Sequence, residues 1–383
     1  MHRLEHHPFM NETYRSLRLL RRMTTHSVRR VLVAAPPLLA AVFGAGALWG
    51  LQAAPPEIPA HRLAILSTPN NGSETFLHVV EVGRSFPPPA TKFVHLPDAA
   101  VKGAVLADGA VLAIADYAPG WDRSFGSALF RLEIGVESRF LCDRIAYASR
   151  PFVSPDGRVF VQRGMAGTLG QFAMRVDSLS IDEIDPKTGA AKAIWEGTGY
   201  VAHIAGAHGR GLVVYHVQPS GARLILVDQK TGTETVLLPS MPPFATDFST
   251  TATGDLIFQN RHENRSDTWL IERLNLNTGN LETVQEGPRP LAPQGWPRGE
   301  LSYGYLKSDP SPMSQASDLV DKGASREVVE IRAFADHGAI AAALAFPPGV
   351  AAPDVILLDP KGAVIGRLQT PPNTRLQVAG FLP

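Results

Sequence analysis

His203, His208 and His216 form the densest group of histidines beyond the first 26 residues. A zinc site needs ligands converging to within about 2 Å of one ion. These three fall on an inner strand, a turn and the following strand, so they read as scattered sheet and turn histidines. "DPKTG" at Asp185–Gly189 and "DQKTG" at Asp228–Gly232 offer one carboxylate per turn. Calcium takes six to eight converging oxygens, so these are structural turns. "GWDRSFG" (Gly120–Gly126) places a serine near glycines, but without the Gly-x-Ser-x-Gly spacing or following helix of a nucleophile elbow. Cys142 is the only cysteine; it follows an apolar strand-like run, reads as a buried inert thiol, and excludes an internal disulfide. No zincin helix, phosphate loop or dinucleotide fingerprint occurs. Neither a metal nor another cofactor is expected.

Chemistry not concentrated in one motif must be assembled by the fold, and the fold is written as repeats. "FVSPDGRVFV" (Phe152–Val161) is an apolar run, a tight turn and an alternating strand. Weaker copies occur at Ala104–Asp116, Ile204–Gln218, Phe248–Arg261 and Ile331–Phe346, with turn glycines Gly109, Gly157, Gly209, Gly254 and Gly338. A second hairpin lies between them: "IDEIDPKTGAAKAIW" (Ile181–Trp195), "LILVDQKTGTETVLL" (Leu224–Leu238), "IERLNLNTGNLETV" (Ile271–Val284) and the shorter "VILLDPKGAVIGRL" (Val355–Leu368). In each, an Asp or Asn can bond its own backbone while Gly supplies positive φ.

Two hairpins per unit of roughly 45 residues predict four-stranded antiparallel blades around an axis, an all-β propeller. Three strands at 61–96 lack an inner partner, and "TRLQVAGFLP" (Thr374–Pro383) is one strand too many at the other end. The C-terminal strand is therefore expected to complete the first blade and seal the ring. Second strands then begin near residues 62, 110, 158, 212, 255, 301 and 338, which gives seven blades. Six remain open, because Lys307–Ser325 replaces recognisable outer strands in the sixth unit.

Ser154-Pro155-Asp156-Gly157 resembles the hairpin of TolB-like propeller repeats, a group related to WD repeats and often exported to the periplasm. The resemblance implies fold and, through it, an extracytoplasmic setting; it is nearly silent about activity. "IDPKTGAAKAIW" is similar to the docking motif of quinoprotein propellers, but five residues instead of three separate Gly189 from Trp195 and the motif occurs once.

The 383-residue chain is 44% hydrophobic and 19% charged with zero formal charge, which argues against a general nucleic-acid binder. Its charge is uneven. Residues 1–53 carry seven Arg and two acids, and the remainder holds 29 bases against 34 acids. A basic head over 1–30, with 1–22 open to reading as an over-extended start, precedes an apolar stretch at 31–53. That order predicts an export signal cleaved near Ala53 or a retained membrane anchor. Residues 54–60 follow as a linker and 61–383 as the propeller domain.

Loops joining second and third strands project on one face, and here they are long: 117–128, 163–178, 260–268 and 307–325. Long loops on one rim of a rigid scaffold are where binding concentrates. They place Trp121, Asp122, Arg123, Arg163, Arg261, His262 and Arg265 at the rim. The expectation is a non-enzymatic, exported propeller that binds a protein partner or envelope component. The alternative is a lactonase- or lyase-type enzyme whose site lies in the central channel, each blade giving one residue.

Overall fold

The computed structural model describes residues 61–383 except 71, 96–100, 118–125, 147–149, 165–176, 210, 243–244, 252, 263, 266–267, 288–292, 298–300, 303–327 and 347–351. The basic head, the apolar stretch and the linker lie outside the described residues, as do Trp121, Asp122 and Arg123. Contact within the chain separates residues 1–57 from a compact unit over 58–383.

The first sheet runs β1 (Arg62–Pro69), β2 (Glu74–Glu81) and β3 (Thr91–Val94). The second has β4 (Gly103–Ala107), β5 (Ala110–Tyr117), β6 (Gly126–Leu132) and β7 (Arg139–Ile145). The third is β8 (Phe152–Val153), β9 (Val159–Gly164), β10 (Asp177–Ile184) and β11 (Ala191–Gly199), joined to the second into one eight-stranded sheet by the single Ile145↔Arg163 pair of β7 and β9. The fourth is β12 (Val201–His208), β13 (Gly211–Gln218), β14 (Gly221–Asp228) and β15 (Glu234–Met241). The fifth is β16 (Thr246–Thr250), β17 (Asp255–Arg261), β18 (Trp269–Asn275) and β19 (Leu281–Gly287). A two-stranded pair, β20 (Gln294–Gly295) with β21 (Leu301–Ser302), precedes a last sheet of β22 (Val328–Ala335), β23 (Ile340–Phe346), β24 (Asp354–Leu358) and β25 (Val364–Leu368). The final strand, β26 (Thr374–Leu382), returns to the first sheet.

β26 pairs antiparallel with β1 from Arg62↔Leu382 to Pro69↔Thr374, giving the sheet order β26-β1-β2-β3. The expected closure is therefore present. Among the described residues there are six four-stranded units and the two-stranded β20–β21 pair.

Second strands explain why the sequence shows apolar runs rather than alternation. β1 and β13 are buried along nearly their whole length because each blade is packed on both faces. Leu63 and Ile65 pack with Leu344, Val355 and Leu357 of the last sheet. Ala64 and Leu66, pointing the other way, pack with Val111, Ala113 and Phe130 of the second. The same division recurs around the ring. Leu112 and Ile114 meet Val159 and Val161, Phe160 and Ile181 meet Leu212 and Val214, and Val213 and Tyr215 meet Leu256 and Phe258. Beyond the fifth sheet, β20 lies against β16, and the buried Trp296 packs on Val329, Ala343 and Ile356. Each Val, Leu, Ile or Phe among them contributes about 1.5–3 kcal/mol by leaving water. Outer strands β15 and β19 are largely exposed, as the rim of a ring requires.

The hairpins between third and fourth strands use the predicted chemistry. Asp185 Oδ1 accepts from the Lys187 and Thr188 amides at 2.7 and 3.0 Å, and Asp228 Oδ1 accepts from the Lys230 and Thr231 amides at 2.9 and 2.8 Å. Asn275 does the same with Asn277 and Thr278. Hydrogen bonds from the Thr188 and Lys187 amides hold the Asp185 carboxyl below its ordinary range. These oxygens are spent on the turn.

Glycine is required twice over at two of these turns. Gly189 and Gly232 have φ of +79° and +74°, and each sits on the outer strand of the preceding sheet. A Cβ on Gly189 would lie 2.5 Å from the Leu141 carbonyl oxygen, and one on Gly232 would overlap that of Ile194. Gly279, at φ +73°, has open space beside it. Gly279→Ala is expected to cost about 1–2 kcal/mol from backbone strain alone. Gly232→Ala should cost about 2–4 kcal/mol because the docked turn must also move. Denaturant midpoints of the two variants check the difference; equal losses would mean that docking contributes nothing.

Candidate functional site at the channel mouth

In every four-stranded unit, the start of the inner strand and the end of the second strand lie at one end of the sheet. The connections between blades and the long loops lie at that end too. The group that converges there comes from separate blades: Arg150 just before β8, His203 on β12, Asp247 on β16, and Glu330 and Arg332 on β22. Gln162 and Gln259, near the ends of β9 and β17, supply the shell behind them.

Arg332 is ion-paired with Glu330, and Asp247 accepts a hydrogen bond from Gln259. Gln162 Nε2 lies 3.3 Å from His203 Nδ1. An amide nitrogen can only donate, so Nδ1 is the acceptor and Nε2 carries the ring hydrogen. Phe248 packs on the imidazole with ring centroids 5.6 Å apart. Arg150 is exposed and His203 half-buried. Burial, with the Arg150 charge assisting, lowers the His203 pKa to about 4 and keeps the ring neutral near pH 7. Burial, with repulsion from Arg332, also lowers the Arg150 pKa, while Glu330 and Asp247 oppose that change.

The depressed imidazole has a consequence for stability. The unfolded chain takes up a proton near pH 6.5 that folded His203 refuses until about pH 4. Stability is therefore complete above pH 6.5 and lost as pH falls towards 4, by on the order of 2–3 kcal/mol for this residue. Burial shifts His78 and His216 in the same direction. Thermal unfolding at pH 7.5 and 4.5 should show the loss, and His203→Gln should remove part of it. An unchanged pH slope in that variant would contradict the assignment.

The three histidines read from sequence do not converge. His203 and His208 lie five residues apart on β12, roughly 17 Å along an extended strand. His216 is buried, its Nε2 3.0 Å from the Thr198 carbonyl oxygen and its ring edge-on to Trp195. Trp195 donates to Glu234 at 3.3 Å. Cys142 is buried and its thiol pushed up to about 11, so it is not an active nucleophile at neutral pH. Among the described residues, no three His, Cys, Asp or Glu side chains come together in a way that could hold a metal ion.

The described rim residues are spread over two blades. Arg163, at the end of β9, is ion-paired with Asp182 at 3.0 Å and Asp143 at 3.5 Å. Arg261 is exposed at the end of β17. His262 Nδ1 accepts from the Asn264 amide at 3.1 Å, and Arg265 pairs with Glu286 at 2.8 Å. Sequence reasoning placed His203 on an inner strand but missed Arg150, Asp247, Glu330 and Arg332.

No protein-family model matches the chain, and no curated protein matches it. Among solved structures, an oligogalacturonate lyase in complex with manganese is similar at a TM-score of 0.51 and 10% identity, over 76% of this chain and 90% of that one. TolB from Acinetobacter baumannii gives a TM-score of 0.44 at 11% identity, over 84% and 67%. The β-propeller domain of the trilobed protease from Pyrococcus furiosus gives 0.44 at 14%, over 70% and 85%. TolB-like chains, the group that the Ser154–Gly157 hairpin resembles, are thus among the structural neighbours. At these identities the likeness is one of architecture, and that architecture is the β-propeller.

Proposed function

We propose that this chain is an exported, non-enzymatic propeller that binds a protein partner or envelope component through its loop-rich face. The observation that carries the reading is the distribution of charge. Arg150, Asp247, Glu330 and Arg332 meet at the channel mouth, and Arg261 and Arg265 stand on the same face. Sheets hold these groups at the end from which the long connections between second and third strands leave, the usual division of labour in binding scaffolds. The basic head and the apolar stretch at 31–51 support export. No helix among the described residues is long and apolar enough to cross a membrane. Trp121, Asp122 and Arg123 belong to this proposed rim by their loop.

Site-specific photo-crosslinking in an envelope fraction tests the reading. A photoreactive residue at Arg261 should give a discrete adduct, and one at Lys230, in the opposite-face turn, should give none. No adduct at Arg261, or equal adducts at both positions, would overturn it. N-terminal sequencing of the mature protein should begin close to residue 54; an intact N-terminus would leave residues 31–53 as an anchor.

One observation favours a lyase- or lactonase-type enzyme as the second reading. A neutral His203 beside Arg150 and Asp247 in a channel is the kind of perturbed group that serves as a general base.

A further inference from the structure

We propose that the channel mouth is a receptor for a carboxylate group, gripped by the guanidinium of Arg150. The inference rests on the binding reading and names the chemistry of what is bound.

Arg150 is placed with care. Its stem crosses the backbone at Gly103 of β4, where an added Cβ would come within 2.5 Å of Arg150 Cγ and 2.9 Å of its Cβ. Any other residue at 103 would push the side chain aside. The guanidinium so delivered makes no hydrogen bond and no ion pair among the described residues. Arg150 is exposed, so its donors are open to a bound group. Nearby acids do not fill them: Glu330 is taken by Arg332, and Asp247 by Gln259. Arg332 itself keeps a buried Nε with no acceptor. A vacant, fixed fork of parallel N–H donors matches the two oxygens of a carboxylate. Asp247 and Glu330 argue against a doubly charged anion such as phosphate, which they would repel. A carboxylate, with one charge, balances Arg150 alone. The imidazole of His203, protonated at Nε2 only, borders the same space as a neutral neighbour.

Two sources present this chemistry: an acidic segment of a partner protein and a small free carboxylate. Calorimetric titration of the full chain with acetate and with an end-blocked decapeptide carrying a single glutamate separates them. Binding of either probe supports the proposal and identifies the source; binding of neither overturns it. Arg150→Gln should weaken the bound probe at least tenfold, and Arg150→Lys should also fail to restore it, because the fork is lost. The Lys variant carries the test if the Gln variant does not fold. Imidazole NMR supplies a readout that mere structural damage would not give. Saturation with the probe should raise the His203 pKa by about one unit as the Arg150 charge is neutralised, and in Arg150→Gln the probe should leave it unmoved. Unaltered affinity in both variants, or phosphate binding tenfold tighter than acetate, would contradict the proposal. An adduct at position 261 that persists in Arg150→Gln would show that partner binding stands even where the carboxylate site fails.

Discussion

Removal of residues 374–383 is expected to abolish cooperative folding. β26 contributes the inner edge of the first sheet, and its Leu376, Val378 and Ala379 are buried in the seams to the neighbouring sheets. The two larger side chains stand for about 1.5–3 kcal/mol each. The eight paired positions along β1 would lose their partner as well. Loss on this scale approaches the 5–15 kcal/mol that stabilises a typical domain. The deletion would also leave β1, a strand buried on both faces, as an open edge, a template for aggregation. Circular dichroism during thermal unfolding should show no sharp transition. A transition within a few degrees of the full chain would mean that the last strand is an appendage.

Arg131→Ala should be among the most damaging single exchanges outside the apolar seams, at about 2–4 kcal/mol from the loss of several hydrogen bonds made by one charged donor. Arg131 on β6 is buried. Its Nε lies 2.6 Å from Glu133, Nη1 donates to the Pro186 carbonyl at 3.0 Å, and Nη2 reaches the Asp108 carbonyl at 3.4 Å. Pro186 belongs to the Asp185–Gly189 turn of the third sheet, so one side chain fastens two blades on the face opposite the channel mouth. Truncation strands the Pro186 carbonyl without its donor, while the partly exposed Glu133 carboxylate returns to water. Arg131→Lys keeps a charge but not the fork, and is expected to recover less than half of the loss. Urea midpoints of the two variants measure this; a loss below about 1 kcal/mol in Arg131→Ala would place it among ordinary surface ion pairs.

The architecture was legible because a propeller writes itself into local sequence. Second strands expected near 62, 110, 158, 212, 255 and 338 begin at Arg62, Ala110, Val159, Gly211, Asp255 and Ile340, while near 301 the described residues hold only the two-residue β21 of a two-stranded pair. Burial on both faces produces the apolar runs, and the turn glycines 109, 157, 209, 254 and 338 all have positive φ. The site was not legible for the same reason in reverse. Arg150, His203, Asp247 and Arg332 come from four blades and share no spacing, because the ring rather than the chain brings them together. Gly103 was the one available signal: a glycine opening an inner strand marks a place where another chain segment crosses closely. Arg163 shows the converse. It looked available in a long loop, but the fold gives it Asp182 and Asp143 as partners.

Amide hydrogen exchange under native conditions reaches the sealed ring most directly. If the two ends of the domain close it, amides of 62–69 and of 374–382 exchange at one common slow rate, shared with the β13–β14 ladder and set by global unfolding. Exchange of 374–382 within seconds, while 211–228 stays protected, would show a free tail and an open first blade.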